Sequence, residues 1–333
     1  MRGIVTGSSG FIGAALTKKL LSAGWTIFGI DSHTDYYSVT LKELRNEELQ
    51  LRENFSFEQI DLVDANALEE SIKKFQPDTI FHLAAQAGVR IPVDGIHRYT
   101  ESNLTGFSNV LQLSVKHSVP NFIYASSSSV YGDFAQLPYV ESELVLRPSS
   151  FYGATKLSNE ILTRPLVSGS RTRARALRFF TVYGPMGRPD MAYFRIISSL
   201  IAGSKFELYG DGMVERDFTY IDDCVEMITR LESELTTREA GFADVVNVGG
   251  GHPVSIKELI RLTTEELGIQ LEISQVASNP NDAARTMADP TYLQELVGAK
   301  PETSLKSGIS QTIDWASTSV KPSELLEWVN SSS

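Results

Sequence analysis

Cysteine is almost absent from the sequence, which has only Cys224 among its 333 residues. A single thiol excludes an internal disulfide and any metal site built from several cysteines, and its apolar neighbours predict a buried structural residue. The five histidines match no metal-binding spacing, so we predict no metal ion and expect them to serve surface or packing roles. Apolar runs stay well short of the roughly 18 residues that a membrane-spanning helix needs, so we predict no membrane partner.

Positive charge is also scarce. The sequence has 30 Lys and Arg residues against 41 Asp and Glu residues, which gives a formal net charge of -11. An acidic surface disfavours nucleic acid and acidic lipid as general partners, and an anionic ligand would have to be held by individual arginines. No charged and then apolar leader precedes the first apolar run, so we expect a protein of the cytoplasm.

Short apolar runs rich in branched residues are abundant. They recur between residues 2 and 249, and longer segments with helical spacing separate them. This alternation is typical of a parallel sheet with helices on both faces, and 42% hydrophobic residues suffice for a large core. Beyond residue 250 the pattern is mainly helical. We therefore predict an α/β, doubly wound parallel sheet followed by a smaller, mainly helical C-terminal domain.

A glycine-rich segment follows the first predicted strand, with Gly7, Gly10 and Gly13 in IVTGSSGFIGAALTKKLLSAG. Backbone amides at such a strand-to-helix turn can approach a pyrophosphate, although a plain tight turn also explains the spacing. Asp31 ends the second strand about 20 residues later, where a carboxylate can accept ribose hydroxyls and repel a 2'-phosphate. A turn or helix cap is the alternative for Asp31. Together these residues favour NAD over NADP in a Rossmann-type domain.

The two patterns are interleaved along the chain. We assign residues 1–180 to the NAD-binding Rossmann domain, and residues 215–250 return to it because the strand-like run DVVNVGG comes late. Residues 181–214 and 251–330 then form the smaller domain, which we expect to bind the substrate.

Tyr152 and Lys156 lie four residues apart in SSFYGATKLSNE, on one face of a helix that residues 148–150 would start. A phenol ionises near pH 10, too high for a base at neutral pH. We expect the Lys156 ammonium and a positive nicotinamide ring to lower the pKa of Tyr152 into the working range. A tyrosine on a half-buried helix usually just packs, but beside the glycine loop and Asp31 this pair predicts a catalytic role.

Eight stretches carry a resemblance to a known family: TGSSGFIG, HLAAQAGVR, NLTGFSNVL, YASSSSVYG, YGATK, LRFFTVYGPMGRPDMA, RDFTYIDD and NVGGGHPVS. Over nearly its full length the chain resembles the extended short-chain dehydrogenase/reductase superfamily of NAD-dependent epimerases and dehydratases. Within it, the chain is most similar to the UDP-glucuronate 4-epimerases. Most of the stretches are shared by the whole superfamily; the serine run, the threonine of FFTVYG and the GRPDMA stretch favour this member.

The resemblance implies reversible C4 epimerisation of UDP-glucuronate to UDP-galacturonate through a 4-keto sugar, with tightly held NAD and no decarboxylation. It makes Tyr152 the base, with Lys156 on the nicotinamide ribose and Ser127 beside the C4 oxygen. Asp61 and Leu62 would reach the adenine, although a simple turn is an alternative. The remaining cofactor contacts that it implies are Phe11, Ile12, Leu83, Ala84, Ala85 and Phe179. A homodimer through helices near residues 100–117 and 150–167 is also implied.

The serine run distinguishes this chain from related enzymes. Similar 4,6-dehydratases carry Asp-Glu in place of Ser128 and Ser129, and related UDP-glucuronate decarboxylases have Glu where Ser129 stands. A 4-keto hexuronate is a β-keto acid that loses carbon dioxide readily, and neutral serines bind sugar oxygens without supplying a strong base for C5. We therefore place Ser128 and Ser129 near the substrate carboxylate and expect at least one of the four serines to satisfy only its own turn.

Four further substrate contacts follow from the resemblance. Thr181 stands where UDP-galactose 4-epimerases have asparagine and leaves room for a carboxylate, which the guanidinium of Arg188 can grip. Arg216 matches the arginine on the UDP diphosphate, and Arg90 would serve phosphate or sugar. Similar enzymes usually have Gln or Arg-Pro-Gly-Asp where this chain has Asn279-Pro280-Asn281-Asp282; Asp282 can still accept a ribose hydroxyl.

Three alternatives remain open. A UDP-glucose/UDP-galactose 4-epimerase would use the same machinery on an uncharged C6, and Thr181 and Arg188 speak against it. A UDP-glucuronate decarboxylase is disfavoured by Ser129. A non-catalytic NAD-sensing protein would tend to lack Tyr152 or Lys156, and both are present.

Overall fold

A seven-stranded parallel sheet forms the centre of the computed structural model, which describes residues 1–88, 93–132, 134–277 and 283–331. The strand order is β10-β6-β5-β4-β1-β2-β3. The strands are β1 Arg2–Thr6, β2 Thr26–Asp31, β3 Phe55–Gln59, β4 Thr79–His82, β5 Asn121–Ser127, β6 Arg173–Phe179 and β10 Ala243–Val248. Every neighbouring pair in this sheet is parallel.

Helices cover both faces of this sheet. Helices α1, α2 and α8 pack on one face and α3, α5 and α6 on the other, each against its own apolar cluster. Their bounds are α1 Phe11–Ser22, α2 Val39–Gln50, α3 Ala65–Phe75, α5 Phe107–Lys116, α6 Phe151–Val167 and α8 Ile221–Leu235; a short α4 Ile96–Tyr99 and a π-helical segment Thr100–Gly106 precede α5. All four residues of the central strand β4 are buried, as expected of a parallel strand that is covered on both faces. This arrangement confirms the predicted Rossmann-type doubly wound α/β fold.

The chain reverses its direction of travel across the sheet between β1 and β4. Strands β2 and β3 extend the sheet one way from β1, whereas β4, β5 and β6 extend it the other way. In such sheets ligands bind in the crevice outside the carboxyl ends of the strands at this reversal. The segments that follow β1, β4, β5 and β6 therefore converge on one edge of the sheet.

The rest of the chain forms smaller sheets and helices. Strand β9 pairs in parallel with β7 and antiparallel with β11, and β8 pairs in parallel with β12. The bounds are β7 Thr181–Tyr183, α7 Ala192–Ala202, β8 Phe206–Tyr209, β9 Glu215–Tyr220, β11 Pro253–Ser255, α9 Ile256–Leu267, β12 Ile273–Val276, α10 Thr291–Val297, α11 Leu305–Ser319 and α12 Pro322–Asn330. Of the segment predicted to return to the first domain, β10 joins the seven-stranded sheet and β9 does not; the domain boundaries stay a prediction. Within the described ranges, each helix is too short or too polar to cross a membrane.

Candidate active site

The glycine loop after β1 has a backbone shape that larger residues would not allow. Gly7 adopts φ +74°, and a Cβ there would lie 2.7 Å from the Ala84 nitrogen; a Cβ on Gly13 would lie 2.0 Å from the Gly7 oxygen. Gly10 is the N-cap residue of α1 and has no side chain that could cap the helix. The backbone amides of the first turn, which begins with Phe11 and Ile12, therefore have no side-chain cap from this residue. This cradle at a helix N-terminus fits a pyrophosphate.

Asp31 lies beside this loop at the carboxyl end of β2. Its Oδ2 accepts a hydrogen bond from the Ser9 amide (3.1 Å) and its Oδ1 accepts one from the His33 amide (2.9 Å). The His33 ring stacks on Phe57, with 5.4 Å between the centroids, and its Nε2 lies 2.8 Å from Ser9 Oγ. The sequence predicted surface or packing roles for the histidines; His33 does pack, and it also braces the loop next to the carboxylate.

The other cofactor candidates divide into two groups. Leu83 and Ala84 follow β4 directly against Gly7, Ala85 comes next, and Phe179 ends β6 at the same edge of the sheet. Asp61 instead forms a local turn, with its Oδ1 accepting from the Val63 amide at 3.1 Å, which is the alternative that the sequence left open. Leu62 is buried and packs against Gly106 of the π-helical segment.

Ser127, Tyr152 and Lys156 meet where β5 ends and α6 begins. Ser150 caps α6, its Oγ accepting from the Gly153 amide at 3.0 Å, and this sets the register that puts Tyr152 in the first turn. The Tyr152 hydroxyl is hydrogen-bonded to Ser127. Lys156 Nζ lies 5.8 Å from the centroid of the Tyr152 ring and donates to the Ala125 oxygen at 2.9 Å. The structure thus brings together the three residues that the sequence predicted to be catalytic.

The charges in this trio differ from the expectation that Lys156 lowers the pKa of Tyr152. Burial raises the pKa of the Tyr152 phenol, and the positive charge of Arg188 and the hydrogen bond to Ser127 oppose that rise. Burial also lowers the pKa of Lys156 to about 7, because its ammonium loses hydration without a carboxylate to replace it. Arg188, rather than Lys156, is therefore the main cation acting on the phenol.

The low pKa of Lys156 predicts a pH dependence. Fully protonated, Tyr152 and Lys156 carry two titratable protons, one on the phenol and one on the ammonium. The active form of the pair has lost one of them, and a neutral lysine beside a phenol has the same proton count as an ammonium beside a phenolate, so the two residues titrate as a pair. At pH values below the Lys156 pKa of about 7 the pair takes up the second proton, and we expect kcat/KM to fall about tenfold per pH unit in that range. A pH profile of kcat/KM measures this acid limb. A limb centred above about pH 8 would contradict the assignment.

The serine run turns sharply after β5. Ser127 Oγ accepts from the Ser129 amide at 3.1 Å and donates to Ser129 Oγ at 3.2 Å, so part of the run satisfies its own turn. Ser126 faces the other way, its hydroxyl donating to Glu160 Oε1 at 2.5 Å. Ser128 and Ser129 begin the 3-10 turn 128–130 and are half-buried.

Glu160 is a carboxylate near the serine run that the sequence reasoning did not consider. The guanidinium of Arg178 binds it through two hydrogen bonds, Nε to Oε1 at 3.0 Å and Nη2 to Oε2 at 2.8 Å. Both side chains are buried, with 3% of Arg178 and 6% of Glu160 exposed. The Arg178 guanidinium and the Ser126 hydroxyl together occupy both carboxylate oxygens of Glu160.

Arg188 is engaged by another residue of its own motif. Its Nε donates to Asp190 Oδ1 at 3.0 Å and its Nη2 to Asp190 Oδ2 at 2.5 Å, while 24% of its side chain stays exposed. The guanidinium also lies over the ring of Tyr36, at 5.9 Å from the centroid. The sequence predicted a fork free for a substrate carboxylate; in the structure Asp190 occupies that fork. Thr181, the other candidate for this part of the substrate, begins β7 and is half-buried.

The candidates for the UDP moiety are only partly described. Arg216 donates from Nη1 to the Glu215 oxygen at 2.9 Å and to the Ala283 oxygen at 2.7 Å. Ala283 directly follows Asp282 in the chain. Arg90 and Asp282 themselves lie outside the described residues.

The sequence reasoning missed three residues around the candidate substrate arginine. Tyr36 and Asp190 contact Arg188 itself, and Arg45 binds the backbone of the two residues before it. A signal for one of them was present. Arg45 lies four residues from both Leu41 and Leu49, the two buried leucines of α2. A charged residue on an apolar helix face needs buried partners, which marks it for attention.

Comparison with known proteins agrees with this geometry. The chain matches the model of the NAD dependent epimerase/dehydratase family over residues 4–249. Protein CapI of Staphylococcus aureus is 38% identical over 95% of this chain and 98% of its own length. The UDP-glucuronate 4-epimerase of Thermodesulfobacterium geofontis is 34% identical over 96% of this chain and 97% of its own. The crystal structure of UDP-glucuronic acid 4-epimerase from Bacillus cereus, in complex with UDP-glucuronic acid and NAD, superposes with a TM-score of 0.87 and 32% identity, covering 95% of this chain and 98% of that one. The chain belongs to the NAD dependent epimerase/dehydratase family.

Proposed function

We propose that the protein is a UDP-glucuronate 4-epimerase, which interconverts UDP-glucuronate and UDP-galacturonate through a 4-keto sugar without losing the carboxylate. The observation that carries this proposal is the cation beside the reacting tyrosine. The charge of Arg188 acts on Tyr152 directly. Asp190 takes the Nε and Nη2 donors of Arg188, so the Nη1 group is the part of this guanidinium that suits a carboxylate on C5, next to the C4 that reacts. The relatives from Thermodesulfobacterium and Bacillus support the same substrate.

NAD fits the site that the glycines form. Gly7 and Gly13 let the loop backbone pack closely against Ala84 and against the first turn of α1, which leaves the amides at the start of that helix for a pyrophosphate, and Asp31 is placed to accept the adenosine ribose hydroxyls. When bound there, NAD would supply an acceptor for the C4 hydride and a donor for its return to the opposite face, so the reaction would have no net redox change. Lys156 would hold the nicotinamide ribose, since its ammonium stands one helical turn from Tyr152.

The protein's own residues manage the proton and the charge. The Tyr152 oxygen removes the proton of the C4 hydroxyl, and Ser127, already hydrogen-bonded to that oxygen, shares the C4 oxygen with it. Arg188 opposes the burial that keeps Tyr152 protonated. Ser128 and Ser129 donate to sugar and carboxylate oxygens without drawing a proton from C5. Glu160 stays bound to Arg178 and does not act as that base.

A chromatographic assay without added NAD tests the proposal. Purified protein is given UDP-glucuronate or UDP-glucose, and we expect UDP-galacturonate as the main product of the first and little conversion of the second. Conversion of UDP-glucose alone would favour the UDP-glucose/UDP-galactose 4-epimerase. A UDP-pentose with release of carbon dioxide would favour the decarboxylase, and retained NAD without turnover would favour the sensing protein.

We also propose that the protein works in the cytoplasm as a homodimer that pairs through α6. Three large apolar side chains of this helix, Ile161, Leu162 and Leu166, are exposed by 64%, 47% and 42%. A second copy of α6, together with the neighbouring α5, would bury them. We expect Leu162→Glu to shift the protein from dimer to monomer in size-exclusion chromatography with light scattering. Leu144→Glu, at a loop leucine, is the control that stays dimeric; a wild-type monomer would refute the proposal.

A further inference from the structure

Arg45 is a buried arginine of α2 with an unusual set of partners. Only 2% of the residue is exposed. Its Nη1 donates to the Ser9 oxygen at 3.0 Å and to the Tyr37 hydroxyl at 2.8 Å, its Nε to the Met186 oxygen at 3.1 Å, and its Nη2 to the Met186 and Gly187 oxygens at 2.7 and 2.9 Å. These acceptors are neutral, so the guanidinium is held by several dipoles whose positions it fixes in turn.

The partners of Arg45 belong to two parts of the site. Ser9 lies in the glycine loop, between Gly7 and Gly13, whereas Met186 and Gly187 are the two residues directly before Arg188. Arg45 therefore links the cofactor loop to the loop that carries the candidate substrate arginine. Arg45 and Met186 are 141 residues apart in the sequence.

The loop before Arg188 has little freedom to compensate for a lost contact. Met186 has φ +56°, an unfavourable value for a side-chain-bearing residue. A Cβ on Gly187 would lie 1.7 Å from the Tyr193 hydroxyl, so the backbone passes very close to that ring. Strained backbone of this kind persists only where its surroundings hold it, and Arg45 supplies three of the hydrogen bonds that do so.

Tyr36 connects the same segment to the other side of Arg188. Its hydroxyl donates to Asp190 Oδ2 at 3.4 Å, and the Arg188 guanidinium lies over its ring. The stretch from Tyr36 to Arg45 thus contacts the backbone before Arg188, the ring face below its guanidinium and the carboxylate that binds it. These contacts restrict the Arg188 side chain to few of the conformations that a surface arginine can adopt.

We propose that Arg45 is a positioning residue that fixes Arg188 relative to the cofactor loop and so sets the affinity for the sugar carboxylate. This inference rests on the proposed function, which assigns Arg188 to that carboxylate. Arg45 acts through the carbonyl groups of Met186 and Gly187. Because a misplacement of about 1 Å in a binding group weakens its interaction with the bound substrate and the transition state alike, the effect on the KM for UDP-glucuronate is large for a residue that does not touch the sugar.

A double-mutant cycle separates positioning from general stability. Arg45→Lys keeps the charge, but one ammonium cannot reach all the oxygens that the guanidinium binds. We expect Arg45→Lys to raise the KM for UDP-glucuronate about 10-fold with kcat nearly unchanged, and Arg188→Met to raise it further. In the Arg188→Met background, Arg45→Lys should add little, since it acts through the residue already removed. NAD content is measured alongside, so that the variants are compared at equal cofactor loading.

Two further variants keep the test decisive. Arg52→Lys changes an exposed arginine just beyond α2 and should leave KM as in the wild type. Tyr37→Phe removes one acceptor of Arg45 while keeping the carbonyl bonds, and we expect a KM increase of about 2-fold to 3-fold that disappears in the Arg188→Met background. The positioning role is wrong if Arg188→Met raises KM but Arg45→Lys and Tyr37→Phe do not. It is also wrong if the KM effects of Arg45→Lys and Tyr37→Phe are as large in the Arg188→Met background as in the wild type. If Arg188→Met itself leaves KM unchanged, the proposed role of Arg188 fails instead.

Discussion

Tyr152→Phe is expected to lower kcat for UDP-glucuronate by about 10³-fold while the purified protein keeps its NAD, because a general base contributes roughly 10² to 10⁴ in rate. The substitution removes only the phenol oxygen and leaves the ring in place at the start of α6. Ser127 cannot take over, since a serine hydroxyl is far too weak a base. Lys156 is held on the Ala125 oxygen, 2.9 Å away. NAD should be retained because the glycine loop, Asp31 and Lys156 are untouched.

The measurement is the chromatographic assay of UDP-galacturonate, together with the NAD released when the protein is denatured. Tyr292→Phe is a suitable control, because it also removes a phenol oxygen that makes a side-chain hydrogen bond, at 3.1 Å to Asp244. This control is expected to turn over at nearly the wild-type rate. Turnover of Tyr152→Phe within tenfold of the wild type would show that another group is the base.

Much of the fold was predictable because its signals are local. Helix α9 begins after Ser255, whose Oγ accepts from the Glu258 amide at 3.1 Å, and ends at Gly268 with φ +67°, as the spacing of these residues predicts. Helix α10 shows the usual error of one residue. The spacing of Asp289, Pro290 and Gly298 predicts Asp289 as its cap, but Pro290 occupies the cap position and Asp289 Oδ1 accepts from the Thr291 amide at 2.9 Å.

The site was predictable only where its residues are close in sequence. Tyr152 and Lys156 share a helix face by spacing alone, whereas Ser127, 25 residues before Tyr152, was assigned only through the family resemblance. Arg188 and Asp190 are only two residues apart in the sequence, so an ion pair between them was possible. The spacing does not show, however, whether this ion pair faces the active site or the solvent. Nor does spacing reveal that burial lowers the pKa of Lys156 to about 7, since that shift depends on what covers the ammonium.

Ser129→Glu is expected to turn carbon dioxide release from a trace into a main outcome, with the ratio of decarboxylation to epimerisation rising by at least about 10-fold. Ser129 lies against the first turn of α6, where a Cβ on Gly153 would come within 2.5 Å of the Ser129 oxygen. The Ser129 hydroxyl accepts from Ser127 Oγ at 3.2 Å, and Ser127 adjoins Tyr152, so a side chain at position 129 lies close to the reacting group. In the 4-keto sugar, decarboxylation breaks the bond from C5 to the carboxylate; its electron pair forms the C4–C5 enolate, carbon dioxide leaves, and C5 then takes up a proton.

A glutamate at position 129 promotes this sequence in two ways. Its negative charge repels the substrate carboxylate from the serine hydroxyls, which frees the bond at C5 to align with the C4 carbonyl. In its protonated form it can also supply the proton that C5 requires. Ser129→Gln has nearly the same size and no charge, so it separates charge from bulk. The two variants are compared by the labelled carbon dioxide and UDP-pentose that they release from UDP-glucuronate. Only the glutamate can be ionised or donate an acidic proton at this position. If both variants release equal amounts of carbon dioxide, the binding of the carboxylate by Arg188, and not the neutrality of the serines, protects the keto acid.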